Sequence, residues 1–294
     1  MKHHFADLLD RSGDYWTTIP NRERFAYFAD SNIPNKEEVK ILTISRTHDR
    51  ADWEQVFECP NLEELTLHEP SKEQIQAIRR LTNVKRLRVT FFRALDVDFI
   101  SDLQNLEELV LEYVSGFSDL DPLRRLKKLK SVHLENLRRV TDFGGLAGSE
   151  SLRYVHICGT TDWSQPVQDF AFLSDIPNLE ILSLGFGVRL LNLSYPIFES
   201  LIRHKKIKQI RIGRAFCSLE DYAFAEVLLG KENITYSNGV PVELFHEHGG
   251  RIEFLGKGMR STSARNSVAK CQQITLQYEE MKEKAKVYLS CYLS

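Results

Sequence analysis

His133, Glu135, His156 and Cys158 are the residues whose types and spacing come nearest to a chemical site. All four side chains are of kinds that bind zinc. They form two pairs, His133-Leu-Glu135 and His156-Ile-Cys158, each with one residue between the polar members. In an extended segment that spacing puts both members on one face. Neighbours on a ladder of parallel strands are expected to project side by side rather than converge, and nothing in the sequence fixes a tetrahedron. The cluster is therefore read as surface and no metal is expected; a metal-dependent protein or enzyme built on these four residues is the alternative. Other chemistry fails earlier. Gly256-Lys-Gly-Met-Arg-Ser261 lacks the Gly-Lys-Ser/Thr end of a phosphate loop, His246-Glu-His248 is an isolated pair at a turn, and no Ser or Cys nucleophile has a base placed by a motif. The chain is read as non-catalytic and without a cofactor.

The elements that carry these residues repeat. Aligned on apolar–x–x–apolar–x–apolar, the segments begin at Val39, Leu62, Val84, Leu106, Leu129, Leu152, Leu179 and Ile207, with a degenerate copy at Ile234. The steps are 23, 22, 22, 23, 23, 27, 28 and 27 residues. The first, fourth and sixth positions of each copy are expected to point inward from a short strand, and the third, fifth and seventh outward. Asp52, Asp96, Asp119, Asp142 and Asp169 each stand ten residues before a first leucine and just ahead of apolar residues. They are read as caps on short helical turns of the convex side. In the longer repeats Ser218-Leu-Glu-Asp221 reads as a capping box and Pro196 as a first-turn residue, so full helices are expected there.

This pattern resembles the leucine-rich repeat family over about residues 39–236, first its short class and then its longer, ribonuclease-inhibitor-like class. The resemblance implies an α/β solenoid with a parallel sheet on the concave face and short helices or turns outside. One departure is plain. The Asn or Cys that the family places eight residues after the first leucine is replaced by Pro70, Phe92, Val114, Leu137, Thr160, Gly187 and Ala215. A second apolar column, Leu95, Phe117, Val140, Trp163 and Leu190, follows three residues later.

A solenoid of this kind presents its outward strand positions as a contact surface. The chemically distinctive ones are Glu64, Arg86, Arg88, Glu108, Glu112, His133, Glu135, Tyr154, His156 and Arg211, and these are the expected protein-binding residues. Their four Glu and three Arg sum to −1, a mixed surface rather than a phosphate track. Arg88 and Tyr154 are the expected anchors, both pointing to solvent. Glu64 with Arg86, and Arg86 with Glu108, are expected to form exposed ion pairs of little energy. Phe91 and Tyr113, just past their strands, are candidates to rim the patch. The protein expected from this is an interaction module for a protein partner, with an inhibitor or immunity-type role as one form of it.

At both ends the solenoid needs covering. Residues 1–38 are read as the first cap, with Phe5, Leu8, Leu9, Phe25, Tyr27 and Phe28 as its apolar side chains. Residues 237–294 are read as the second. They hold a type I′ hairpin at Asn238-Gly239, a strand after Gly249-Gly250, and a helix from about Ser263 to Leu289 with Ala264, Val268, Cys271, Tyr278, Met281 and Ala285 on one stripe. A net charge of −2 argues against nucleic acid as partner. Without an export signal or membrane span, and with five scattered cysteines, a cytoplasmic protein with reduced thiols is expected.

Overall fold

The computed structural model describes residues 27–28, 33, 35–45 and 52–293. Its main feature is a single parallel sheet built from one strand per repeat, with one further strand ahead of the first repeat. The strands are β1 (Tyr27–Phe28), β2 (Ile41–Ser45), β3 (Glu64–His68), β4 (Arg86–Arg93), β5 (Glu108–Ser115), β6 (Ser131–Glu135), β7 (Tyr154–Cys158), β9 (Ile181–Leu184), β11 (Gln209–Arg211) and β12 (Ile234–Thr235), in that spatial order. Two further strands, β8 (Gln165–Val167) and β10 (Val188–Leu190), pair in parallel as a small separate sheet. The register follows the repeat without a slip from β2 to β11: Thr43, Thr66, Arg88, Val110, His133, His156, Ser183 and Arg211 lie in one row. The inward set, from Leu42 and Ile44 to Ile210 and Ile212, is buried throughout. Each such side chain contributes about 1.5–3 kcal/mol of burial, the term that holds the coils together.

On the convex side the chain makes short 3-10 turns, and four of the five aspartates act at their starts. Asp96, Asp119, Asp142 and Asp169 accept the amide two residues on, from Asp98 (3.1 Å), Asp121 (2.8 Å), Gly144 (2.7 Å) and Ala171 (2.9 Å). Asp52 makes no such side-chain bond. The repeat with Gln74 in place of Asp instead holds a true helix, α1 (Lys72–Ala77), closed by a reciprocal Ser71–Gln74 capping box. Of the two longer repeats expected to hold helices, one carries its helix, α2 (Leu219–Leu229), with Ser218 Oγ accepting the Asp221 amide. The other makes only a 3-10 turn, Glu199–Leu201.

Ahead of the strands, Asn61, Asn105 and Asn178 donate to backbone carbonyls of the preceding coil at Glu37, Thr82 and Glu150. After the strands, where the asparagine of the leucine-rich repeat family is missing, one glutamine serves the turn at Leu137. Gln165, buried, accepts the Leu137 amide at 2.7 Å and donates to the Val140 carbonyl at 2.8 Å. The second apolar column holds at Phe117, Val140 and Leu190, but Leu95 and Trp163 are exposed and Ala94 and Val97 fill the space near Leu95 instead.

Most of the expected first cap, including Phe5, Leu8, Leu9 and Phe25, lies outside the described residues. Beyond β12, Asn238-Gly239 does not form a type I′ turn, because that turn requires positive φ at both positions and only Gly239 has it (81°). The two positive values fall at Gly249 and Gly250 (56° and 72°), between β13 (Phe245–His248) and β14 (Arg251–Phe254); β15 (Thr262–Ser263) completes that sheet. The final helix, α3 (Val268–Leu293), packs on α2 through Ile274, Tyr278 and Ala285, while Val268 is exposed rather than on the buried stripe. Tyr278 Oη donates to Glu226 Oε2 at 2.8 Å across that contact. Among the described residues no helix is long and apolar enough to cross a membrane.

Candidate functional site

The sheet register brings the expected residues into neighbouring positions, but not onto an open surface. Arg88 is 1% exposed and Tyr154 0%, and Glu64, Glu108, Glu112, His133, Glu135 and His156 are also buried. The expectation that Arg88 and Tyr154 point into solvent is corrected. Strands about 4.8 Å apart let long polar side chains lie over their neighbours and pair laterally. None of Glu64, Thr66, His68, Arg88, Glu108, Ser131 or Tyr154 is without a partner.

Three groups result. In the first, Arg86 Nη1 lies 3.1 Å from Glu64 Oε1 and Arg86 Nε lies 3.1 Å from Glu108 Oε1. The expected pairs form, but both carboxylates are buried rather than exposed. Burial works against the Arg86 charge, yet the Glu108 and Glu64 carboxylates outweigh it and hold the guanidinium pKa above its ordinary value. In the second, Arg88 Nε and Nη2 donate to a single oxygen, Glu112 Oε2, at 2.9 and 2.5 Å. Glu112 Oε1 is buried without a hydrogen-bond partner.

The third group is the one singled out by residue type. The His133 and His156 rings stack with centroids 4.4 Å apart. Tyr154 continues the stack, its ring parallel to His156 at 6.4 Å. His133 Nε2 lies 3.5 Å from Glu135 Oε2, and Cys158 Sγ donates to the same oxygen at 3.6 Å. His156 Nδ1 pairs with Ser183 Oγ at 2.8 Å. One ligand atom from each of His133, His156 and Cys158 lies within 4.8 Å of the others, and the same holds for Glu112, His133 and Glu135. The two imidazoles project side by side, as expected of ladder neighbours, while the Glu135 carboxylate leans toward both His133 and Cys158. Burial, with His133 and Arg211 nearby, pushes the His156 pKa well down; burial beside Glu135 pushes the Cys158 thiol well up.

Arg211 stands apart from these groups. Its Nε donates to Gln209 Oε1 at 2.7 Å, and with Phe186, Arg214, Phe216 and Tyr236 it lines a cleft where the last strands end.

What remains open is the rim formed by the strand ends and the segments that leave them. Phe91, Trp163 and Phe186 are 44%, 50% and 70% exposed there. Phe91 stacks on Tyr113 with centroids 4.7 Å apart, and the Arg138 guanidinium lies 3.8 Å over the Trp163 ring. Glu69, Phe91, Tyr113 and Asn136 follow the third outward position of successive strands, and all have positive φ, 50°, 54°, 55° and 53°. For bulky aromatic residues this is a strained conformation. After Glu69 and Asn136 the chain leaves the sheet, their amides donating to the Thr90 and Cys158 carbonyls of the next strand, whereas after Phe91 and Tyr113 it stays paired, Phe92 opposite Val114 and Arg93 opposite Ser115. The sequence marks Phe91 and Tyr113 only as rim candidates and places Trp163 in the second apolar column, and nothing in it singles out Phe186; the exposure of these rings follows from the backbone direction, which residue type does not signal.

Neither a protein-family model nor a curated protein sequence matches the chain. Among solved structures, an internalin (inlF) from Listeria monocytogenes is 18% identical, with 68% of this chain and 60% of that chain aligned and a TM-score of 0.44. Internalin C2 from the same organism is 21% identical over 52% of this chain and 62% of its own, with a TM-score of 0.40. The chain thus spans less than two thirds of the length of either.

Proposed function

We propose that the chain is a non-catalytic module that binds a protein partner along the concave side of the sheet, with the aromatic rim as its first contact. The observation that carries this is the exposure of Phe91, Trp163 and Phe186 along one rim of a rigid sheet. Aromatic side chains with a stacked arginine are what protein contact surfaces favour, and Phe91 and the Tyr113 it stacks on hold their positions at a cost in backbone strain. The partner suited to it presents apolar side chains to the rim. The expected set Glu64, Arg86, Arg88, Glu108, Glu112, His133, Glu135, Tyr154 and His156 then serves mainly to hold the strands in place, while Arg211 lines the cleft beside Phe186.

The test is capture from the native cell extract with a photo-crosslinking residue in place of Phe186. One partner is expected, captured equally by the convex-side variants Lys127→Ala and Arg124→Ala and lost in Phe91→Asp and Trp163→Asp. An inhibitor or immunity role would follow if the captured protein has an activity that the module suppresses. Capture that depends on Lys127 or Arg124 and ignores the aromatic residues would refute the reading.

A further inference from the structure

We propose that His133, Glu135, His156 and Cys158 form a tetrahedral transition-metal site, with zinc as the best-suited ion, bridging β6 and β7. Each strand supplies two ligands from alternate positions of one face, and the register sets His133 beside His156 and Glu135 beside Cys158.

Distance is the first support. Zinc bonds of about 2.0–2.1 Å to nitrogen, 2.0–2.2 Å to oxygen and 2.3 Å to sulfur put tetrahedral neighbours about 3.4 Å apart for N and O, and about 3.6 Å for O and S. Glu135 Oε2 lies 3.5 Å from His133 Nε2 and 3.6 Å from Cys158 Sγ. Two of the six edges of the tetrahedron are already at length, the His133, His156 and Cys158 ligand atoms lie within 4.8 Å of one another, and one of the two stacked imidazoles must turn for both ring planes to meet the ion.

The second support is unmet polarity. His133 is 2% exposed and its Nε2 has no hydrogen-bond partner. Glu112 and Glu135 are neighbours in register, both buried, and Arg88 bonds only the Oε2 atom of Glu112, leaving Oε1 unpartnered. Two adjacent buried carboxylates, of which Arg88 pairs with Glu112 from the side away from Glu135, favour a further cation.

The third is the surrounding shell. With Nδ1 of His156 engaged by Ser183 Oγ, Nε2 is the nitrogen left to bind, the arrangement by which an outer partner fixes a ligand imidazole. Gly185 makes room beside it: a Cβ there would stand 3.3 Å from His156 Nε2 and 2.5 Å from Cys158 Cβ. Metal binding needs neutral imidazoles and a thiolate, so the Cys158 thiol proton leaves as the ion binds.

The experiment uses the full chain, reduced and stripped with chelator, then titrated with Zn(II) against a chromophoric competitor and separately with Co(II). One equivalent of either ion is expected. Co(II) should show a thiolate charge-transfer band in the near ultraviolet and a visible band of four-coordinate intensity. Cys158→Ser should abolish the charge-transfer band, and it and Glu135→Gln should each weaken binding by at least about the 10-fold that loss of an outer-shell partner causes. Cys271→Ser, Cys291→Ser and the double variant His246→Ala/His248→Ala should bind as the parent does. A Co(II) spectrum of the unsubstituted chain without a thiolate band overturns the proposal, whether or not the variants fold. So does binding that survives Cys158→Ser and disappears with His246 and His248.

Discussion

Arg88→Met is the perturbation that most directly separates a buried concave face from an exposed one. The substitution keeps the apolar stem and deletes a fork whose Nε and Nη2 both donate to Glu112 Oε2, at 2.9 and 2.5 Å. Glu112 then remains as a buried carboxylate whose other oxygen already lacks a hydrogen-bond partner. Breaking a buried pair by removing one member costs about 3–5 kcal/mol, because the surviving charge is stranded. An exposed pair would lose at most about 1 kcal/mol. For a chain of this size about 2 °C of midpoint corresponds to 1 kcal/mol, so thermal unfolding should begin roughly 6–10 °C earlier. The assay is urea and thermal unfolding followed by circular dichroism, with chelator present so that no bound ion adds stability. Adding Glu112→Gln should restore at least half of the loss, since a neutral amide need not be paired with a cation. A loss below about 1 kcal/mol for Arg88→Met, or a double variant worse than either single one, would refute the argument that the pair is sealed from water.

Two further outcomes are expected. Asp119→Ala should destabilise by roughly 1 kcal/mol through the lost acceptor for the Asp121 amide, whereas Asp52→Ala, which removes no such bond, should be near neutral; equal unfolding midpoints in the two variants would remove the cap assignment. His204 donates from Nε2 to the Leu173 carbonyl and its Nδ1 is buried without a partner, so burial lowers its pKa below the ordinary 6.5 despite that bond. As pH falls through about 6.5 the unfolded chain takes up the proton first, so this contribution to stability is complete above that pH and is lost below it. Unfolding free energies at pH 7.5 and 5.5 should converge between the parent and His204→Gln as pH falls, and parallel values would remove His204 as the cause.

The sequence by itself determined the coil. A fixed spacing of apolar residues is a statement about which side chains share a face, so the strand positions, their inward and outward sets and the neighbours of each residue in the sheet were all legible; Thr66 beside Arg88 and His133 beside His156 follow from counting alone. The aspartates ahead of the turns were legible for the same reason, since a cap acts on an amide two residues away. The tertiary structure decided what the outward side chains do with one another. Register gives the spacing of Cα positions, about 4.8 Å between strands, but His, Glu and Arg side chains reach farther than that. Whether Glu135 leans toward His133, or Arg88 folds onto Glu112, is settled by the rotamers that satisfy the most polar atoms away from water. Those rotamers depend on every neighbour at once, which is why the same row of residues reads in the sequence as an open surface and folds as a paired, buried one, leaving the exposed aromatic rings at the rim where the strands end.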